Sequence, residues 1–107
     1  MSIGEDLNTG IQSYIAHLQS DYDNKSYAGG KKYYCEVGRK YVHIIMEDNQ
    51  RSSHSWVMLE DDKKFKRGDI LKSATWRGPA RNFGRGNVLC GGFKHIRWCG
   101  VWIHGIL

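Results

Sequence analysis

The spacing of apolar residues changes from helical to alternating near residue 31, and this change restricts the chain to a mixed α and β fold. Over residues 2–22 the apolar side chains recur every three or four positions, which places them on one side of a helix. These residues are Leu7, Ile11, Tyr14, Ile15, Leu18 and Tyr22. A polar segment that ends in Gly29 and Gly30 follows and is typical of a linker.

The start of this helix has two interpretations. Ser2, followed three residues later by Glu5, is a capping-box pattern at the N-terminus. Gly4 and Gly10 weaken the first half of the helix, because glycine has a low helix propensity, and they leave Asn8 or Thr9 as the alternative N-cap.

Residues 31–107 have the pattern of a β-rich domain, in contrast to the amphipathic helix of residues 1–24. Alternating apolar and polar positions with many β-branched and aromatic residues are typical of short strands. The predicted strands are residues 31–37, 40–47, 51–59, 70–76 and 94–107, with a turn at residues 48–50. Gly38 and Arg39 predict a two-residue type II′ turn, since glycine suits its first central position. Residues 77–94 contain several glycines and the only proline, and they predict a long loop.

The chain of 107 residues has the size of one domain. Four or five short antiparallel strands, mostly paired with their neighbours in sequence, cannot bury both faces as a flat sheet. The expected fold class is therefore α+β, with a strongly bent antiparallel β-sheet or a small β-barrel of four to five strands and one N-terminal helix. The linker leaves two positions open for the helix, on its own sheet or on a second subunit, and the second position would make a homodimer.

Charge is segregated along the chain. Residues 63–97 contain ten basic residues and one acidic residue, a net charge of +9, whereas the first 62 residues contain six basic and ten acidic residues, a net charge of −4. A concentrated positive field attracts polyanions. The expected partner is therefore nucleic acid, with RNA or a single strand favoured, or else an acidic protein surface.

Other features exclude whole classes of protein. No apolar run approaches the roughly 20 residues that span a bilayer, and the N-terminus lacks the basic and apolar regions of a secretory signal. Three cysteines, an odd number, fit free thiols in a reducing compartment better than disulfides. We therefore expect a cytoplasmic protein without a membrane partner, and no motif predicts a cofactor.

The region after the start of the fourth predicted strand is the main candidate site. Its candidate binding residues are Lys72, Trp76, Arg77, Arg81, Phe83, Arg85 and Arg97. Three of the arginines recur at a spacing of four, between aromatic residues and glycines. Arginine pairs bidentately with phosphate, aromatic rings stack on bases, and glycine lets the backbone approach a strand closely. The alternative is a solvated loop whose arginines pair with acidic residues of the first half.

The segment from residue 68 to residue 88 resembles a known pattern. It contains Gly-Asp-Ile-Leu-Lys, Thr-Trp, Pro-Ala-Arg and Arg-Gly-Asn-Val, and Ser-His-Ser-Trp-Val precedes it at residues 53–57. The order is similar to that in a family of small bacteriophage-encoded proteins without an assigned activity, in which serine more often precedes the tryptophan. The similarity covers residues 31–107, so the helix looks like an addition. The resemblance implies a phage origin and a location in the host cytoplasm.

The favoured hypothesis is a small non-enzymatic phage accessory protein that binds nucleic acid through the basic loop. One alternative is a phage inhibitor or adaptor that binds a host defence or transcription protein, with arginine and tryptophan as anchors. The other is a metal-independent, ribonuclease-like hydrolase that uses His43 and His54, on the strands that flank the turn at residues 48–50, as acid and base. Glu36, Glu47 and Arg51 would complete this site.

The C-terminal region contains a set of potential metal ligands: Cys90, His95, Cys99 and His104. In common zinc sites two cysteines lie two to four residues apart, and these cysteines do not. No metal is therefore predicted.

Aromatic residues of the strands form a further potential surface: Tyr33, Tyr34, Tyr41 and Trp56. Neighbouring residues of a strand point to opposite faces, so only the residues on the face away from the core could stack bases. The sequence does not identify that face.

Overall fold

A computed structural model describes residues 4–24, 30–82 and 84–97 of the chain. The elements within these ranges are one α-helix, α1 (Glu5–Asp23), and five strands, β1 (Lys32–Val37), β2 (Tyr41–Glu47), β3 (Arg51–Met58), β4 (Ile70–Thr75) and β5 (Gly78–Pro79). A short 3₁₀ turn, Val88–Cys90, follows β5. No helix in the described ranges is long and apolar enough to cross a membrane.

The five strands form one antiparallel sheet in the order β1-β2-β3-β4-β5. β1 and β5 lie at its two edges and do not pair with each other, so the sheet is not closed into a barrel. The predicted α+β class is confirmed, in the form of a bent open sheet with one N-terminal helix.

The predicted helix is confirmed, but its predicted start is wrong. Gly4 is the N-cap and Glu5 the first helical residue, so Asn8 and Thr9 lie inside the helix. Ser2, the first residue of the predicted capping box, lies outside the described residues.

An ion pair holds the first turn of α1 in place of a side-chain cap. The guanidinium of Arg67 donates two hydrogen bonds to the carboxylate of Asp6, at 2.9 and 2.8 Å. These bonds, together with the N–H of Leu7, hold the pKa of Asp6 well below its usual value. The pair links the helix to the connection between β3 and β4.

The turns between the first strands are partly as predicted. Residues 48–50 connect β2 and β3, and the carboxylate of Asp48 accepts a hydrogen bond from the N–H of Gln50 at 3.1 Å. The predicted type II′ turn is wrong, because such a turn requires a positive φ that Gly38 does not have. Instead residues 38–40 connect β1 and β2, and the N–H of Gly38 donates to the carbonyl of Tyr41 at 2.9 Å.

The C-terminal third differs most from the prediction. β4 ends one residue early, and Trp76 and Arg77 form the turn of a short hairpin with β5, inside the segment predicted as a loop. Lys94 and His95 lie in a turn rather than in a strand. The rest of the predicted last strand, residues 98–107, lies outside the described residues.

The helix packs on one face of its own sheet, which answers the question that the linker left open. The buried residues of α1 and of the strands form one cluster: Leu7, Ile11, Tyr14, Leu18, Tyr22, Tyr33, Val42, Ile44, Val57 and Ile70. Burying one such aliphatic side chain stabilises the fold by about 1.5–3 kcal/mol. The apolar stripe of α1 is therefore the main contact between helix and sheet.

The opposite face of the sheet carries a second and smaller cluster. It consists of Trp56, Met58, Phe65 and Leu71, with Tyr41 packed against it. The alternation along β3 explains the division, because Val57 points toward α1 while Trp56 and Met58 point away from it.

The segment after β5 completes the core on the helix side. Val88, Phe93 and Ile96 are buried in the same cluster as α1. The 3₁₀ turn comes so close to the helix that a Cβ atom added at Gly10 would lie 2.6 Å from the carbonyl oxygen of Val88. Glycine at this position therefore permits contact between backbones, in spite of its low helix propensity.

Gly10→Ala is expected to lower the free energy of unfolding by about 1–2 kcal/mol. Alanine would gain about 1 kcal/mol of helix propensity, but its methyl group would force the helix and the carbonyl of Val88 apart. Urea unfolding followed by circular dichroism measures the change. Ser13→Ala, at an exposed position of the same helix, is the control and should be neutral or slightly stabilising. A stabilised Gly10→Ala variant would show that the close approach does not exist.

Candidate functional site

A cleft of about 380 Å³ opens on the face of the sheet opposite α1, and we call it the sheet cleft. Its lining residues are Glu36, Val37, Gly38, Tyr41, His43, Trp56, Trp76 and Arg77. They come from the end of β1, from the middle of β2 and β3, and from the β4–β5 turn. The cleft thus brings together residues that are up to 41 positions apart in the sequence.

The floor of the sheet cleft is a stacked pair of rings. His43 and Trp56 are direct partners in the β2–β3 ladder, and their ring centroids lie 3.7 Å apart with an angle of 5° between the planes. The Nε2 of His43 hydrogen-bonds the Oγ of Ser53 at 2.6 Å. Burial lowers the pKa of His43 from its usual value, so the ring is neutral at pH 7. The floor is therefore aromatic, and burial disfavours a charge on it.

Trp76 forms one wall of the sheet cleft. Its ring lies 4.7 Å from the ring of His43, at an angle of 65°, although β3 separates the two strands involved. The turn after β4 must therefore fold back over the sheet face, which makes this face concave. Trp76 is 43% exposed, a large value for a tryptophan, so much of its ring is open to a ligand.

Arg51 supports this wall from outside the cleft. Its guanidinium lies 5.0 Å from the ring centroid of Trp76, donates to Glu36 at 2.8 Å and donates to the hydroxyl of Tyr34 at 2.8 Å. That hydroxyl donates in turn to Glu47 at 2.9 Å. Arg51 does not line the cleft. It is therefore a positioning residue that fixes Glu36 and Trp76 relative to each other.

Arg77 is the cation of the sheet cleft. It is exposed and follows Trp76 in the β4–β5 turn, where its N–H donates to the Oγ1 of Thr75 at 3.1 Å. Its guanidinium has no hydrogen bond or ion pair with any residue in 4–24, 30–82 or 84–97. A charge that the fold does not use is available to an anionic ligand.

Arg81 occupies a different environment from Arg77. Its guanidinium forms an ion pair with Asp62 at 2.5 Å and donates to the hydroxyl of Tyr41 at 2.7 Å. The N–H groups of Phe65 and Lys64, together with Arg81, hold the pKa of Asp62 well below its usual value. Arg81 therefore has a structural role in tying the β3–β4 connection to the sheet.

The other predicted binding residues are dispersed. Arg85 is half-buried, and burial lowers the pKa of its guanidinium. Arg97 pairs with Asp21 of α1 at 3.5 Å, on the helix side of the sheet. Lys72 is exposed on β4, opposite Ser55. Phe83 lies outside the described residues. Of the predicted binding residues that the structure describes, only Trp76 and Arg77 line the sheet cleft.

The aromatic residues of the strands divide between the two faces. Tyr33 is buried in the core under α1, whereas Tyr41 and Trp56 line the sheet cleft. Tyr34 lies at the margin of the cleft, where its hydroxyl bonds Arg51. The face away from the helix is therefore the one that carries open aromatic surface.

The two histidines of the ribonuclease hypothesis point to opposite faces. His43 lies in the floor of the sheet cleft, whereas His54 is buried against α1, with its ring centroid 6.3 Å from that of Tyr14. The Nδ1 of His54 hydrogen-bonds Ser55 Oγ at 2.8 Å, and its Nε2 bonds the carbonyl of Arg97 at 2.9 Å. The structure thus does not bring the two rings together.

No group of three or more potential metal ligands comes together in the part of the chain that the structure describes. Cys90 is exposed and His95 bonds the carbonyl of Arg85 at 2.6 Å. The other two residues of the zinc-like pattern, Cys99 and His104, lie outside the described residues.

The model of one protein family matches residues 2–102, almost the whole chain. This protein belongs to DUF7717. DUF7717 is a family of unknown function. The match includes α1 as well as the sheet, so the helix is part of the family's common region and not an addition to it. No curated protein and no solved structure matches the chain significantly.

Sequence reasoning missed the contributions of Val37 and Gly38 to the cleft, and it assigned Arg51 to a ribonuclease site and not to the support of Trp76. The signal for Arg51 was present, because the turn at residues 48–50 places it beside Glu47 and across the sheet from Tyr34. The sequence contains no signal for the exposure of Val37, since the alternation along β1 predicts only the face to which a side chain points.

The unfolding free energy is expected to fall by about 2 kcal/mol when the pH is lowered from 7 to 5. Burial lowers the pKa of His54 to about 4, so between about pH 6.5 and pH 4 the unfolded chain binds a proton that the folded chain does not. Stability therefore decreases as the pH falls through this window, and the lowered pKa of His43 acts in the same direction.

Urea unfolding at pH 7, 6 and 5 measures this dependence. His54→Gln keeps a polar side chain but cannot titrate, so it should remove most of the slope, whatever its stability at pH 7. An unchanged slope in the variant would mean that His54 is not the group responsible.

Proposed function

We propose that the sheet cleft binds single-stranded nucleic acid, RNA or DNA, and that the protein acts as a binding protein and not as an enzyme. The observation that carries this proposal is Trp76, which is 43% exposed and stands beside the exposed cation Arg77. A base stacks on the ring and a neighbouring phosphate pairs with the guanidinium. The two residues form one turn and therefore move together.

The contacts that hold the ring of Trp76 in place favour the binding of a ligand. The ring of His43, which is stacked on Trp56, and the guanidinium of Arg51 contact the indole of Trp76 and fix it before a ligand arrives. Because the ring is already ordered, little side-chain entropy is lost on binding. Stacking on a fixed aromatic ring of a sheet is a common way to bind unpaired bases, and it tolerates different sequences.

The charge of the chain agrees with this ligand. The net charge of +5 attracts a polyanion from a distance, while Arg77 makes the local contact. The phage origin and the location in the host cytoplasm, which the pattern in residues 68–88 implies, are part of the same proposal.

A protein partner is the second candidate function. Trp76 is 43% exposed in the cleft, and Val37, 46% exposed, borders the cleft with its side chain toward the α1 face, as its ladder partner Val42 shows. Exposed apolar residues beside tryptophan and arginine are typical of the centre of a protein interface. An inhibitor or adaptor that covers an acidic host protein would use these three residues.

Trp76→Ala is expected to weaken the binding of a short single-stranded RNA by about 5- to 100-fold, because one stacked base contributes about 1–3 kcal/mol. Fluorescence anisotropy of a labelled strand at low salt gives the affinity. Trp76→Phe retains an aromatic ring and should lose much less. If the wild-type protein binds neither RNA nor single-stranded DNA at low salt, the nucleic-acid proposal is wrong and the protein partner is favoured.

Arg77→Ala is expected to reduce the salt dependence of binding. The slope of log affinity against log salt concentration should fall by about 0.7, the value for one phosphate contact with a single strand. Lys94→Ala removes the same charge beside Phe93, which packs on α1 at the other side of the sheet. This control should leave the slope unchanged. Equal effects of the two variants would indicate that only the net charge matters.

A further inference from the structure

Glu36 is an unusual residue for a site that binds a polyanion. Its exposed carboxylate lines the sheet cleft, and it is the direct partner of His43 in the β1–β2 ladder. Beyond its ion pair with Arg51, a carboxylate so close to phosphates weakens binding unless it also contacts the ligand. The role that fits its chemistry is to accept hydrogen bonds from the edge of a base.

We propose that the sheet cleft is selective for guanine, with the carboxylate of Glu36 as the residue that reads the base. This inference rests on the proposed function and names the base that the same site prefers. The carboxylate only accepts hydrogen bonds, and it has two oxygens for that purpose. Guanine is the common base that presents two adjacent donors, N1–H and the N2 amino group, on its Watson–Crick edge.

The guanidinium of Arg51 links Glu36 to the stacking ring. One guanidinium, that of Arg51, contacts both the carboxylate of Glu36, at 2.8 Å, and the ring of Trp76, at 5.0 Å. Arg51 lies outside the cleft, so it holds both groups from behind and leaves their other sides toward the ligand. A base that stacks on Trp76 therefore has the carboxylate near its edge.

The test compares short single-stranded RNAs of uridine that carry one central guanosine, inosine or adenosine. Guanosine should bind about tenfold or more tightly than adenosine, and inosine, which lacks the N2 amino group, should lie between them. Glu36→Gln replaces one acceptor oxygen with a donor and should abolish these differences. It should not weaken the binding of the strand that contains adenosine.

Glu47→Gln is the matched control, because Glu47 bonds Tyr34 in the same network but does not line the cleft. It should preserve the preference for guanosine. Guanosine monophosphate alone should bind at least tenfold more weakly than the strand, and equal affinities would identify a free nucleotide as the ligand and overturn the proposed function.

The two proposals fail in different ways. If the wild-type protein binds all three strands with equal affinity, the selectivity for guanine is wrong while the binding of single strands stands. A preference that persists in Glu36→Gln would also overturn the assignment to this residue. If none of the strands binds at low salt, the proposed function itself is wrong.

Discussion

The packing of α1 on its own sheet determines which surface of this protein is left for a partner. Tyr14 is fully buried at the centre of that contact, and its hydroxyl hydrogen-bonds the Oγ of Ser55 at 2.7 Å. Burial raises the pKa of the Tyr14 hydroxyl, so this group stays protonated and able to donate. Because α1 and the segment after β5 pack on one face, the face opposite α1 is the one left for a site. The sheet cleft lies there.

The segregation of charge has a structural explanation as well as a functional one. Three acidic residues of the first 62 positions pair with three arginines of residues 63–97: Asp6 with Arg67, Asp21 with Arg97 and Asp62 with Arg81. Exposed ion pairs of this kind add little stability, but they orient the segments that they join. Much of the late positive charge therefore serves the fold. Arg77 does not take part in such a pair within the described residues, and it is the cation that reaches the cleft.

The positions of the helix and the strands were largely predictable from the spacing of apolar residues. This spacing reflects the direction in which successive side chains point in a helix and in a strand. The alternation of strand residues also separates the two histidines of the ribonuclease hypothesis. Counting outward from the three-residue turn at 48–50 places His54 opposite Ile44, which faces α1, so His54 and His43 lie on opposite faces. The structure adds a register shift between Ile44 and Ile45, which makes Ser55 the partner of Ile44 and Trp56 the partner of His43. No residue type in the sequence signals this bulge.

The α+β class, the buried stripe of α1 and the strands that pair around residues 48–50 follow from the sequence alone, because they depend on periodicity within short segments. Which charges and rings meet depends on the packing of the folded chain. The spacing of four between Arg77, Arg81 and Arg85 suggests one cationic row, yet one lies in the cleft, one pairs with Asp62 and one is half-buried. Trp76 reaches His43 because the sheet bends, and the bend results from the packing of the whole chain. Periodicity is a local property, whereas the composition of a cleft depends on contacts between residues that are distant in sequence.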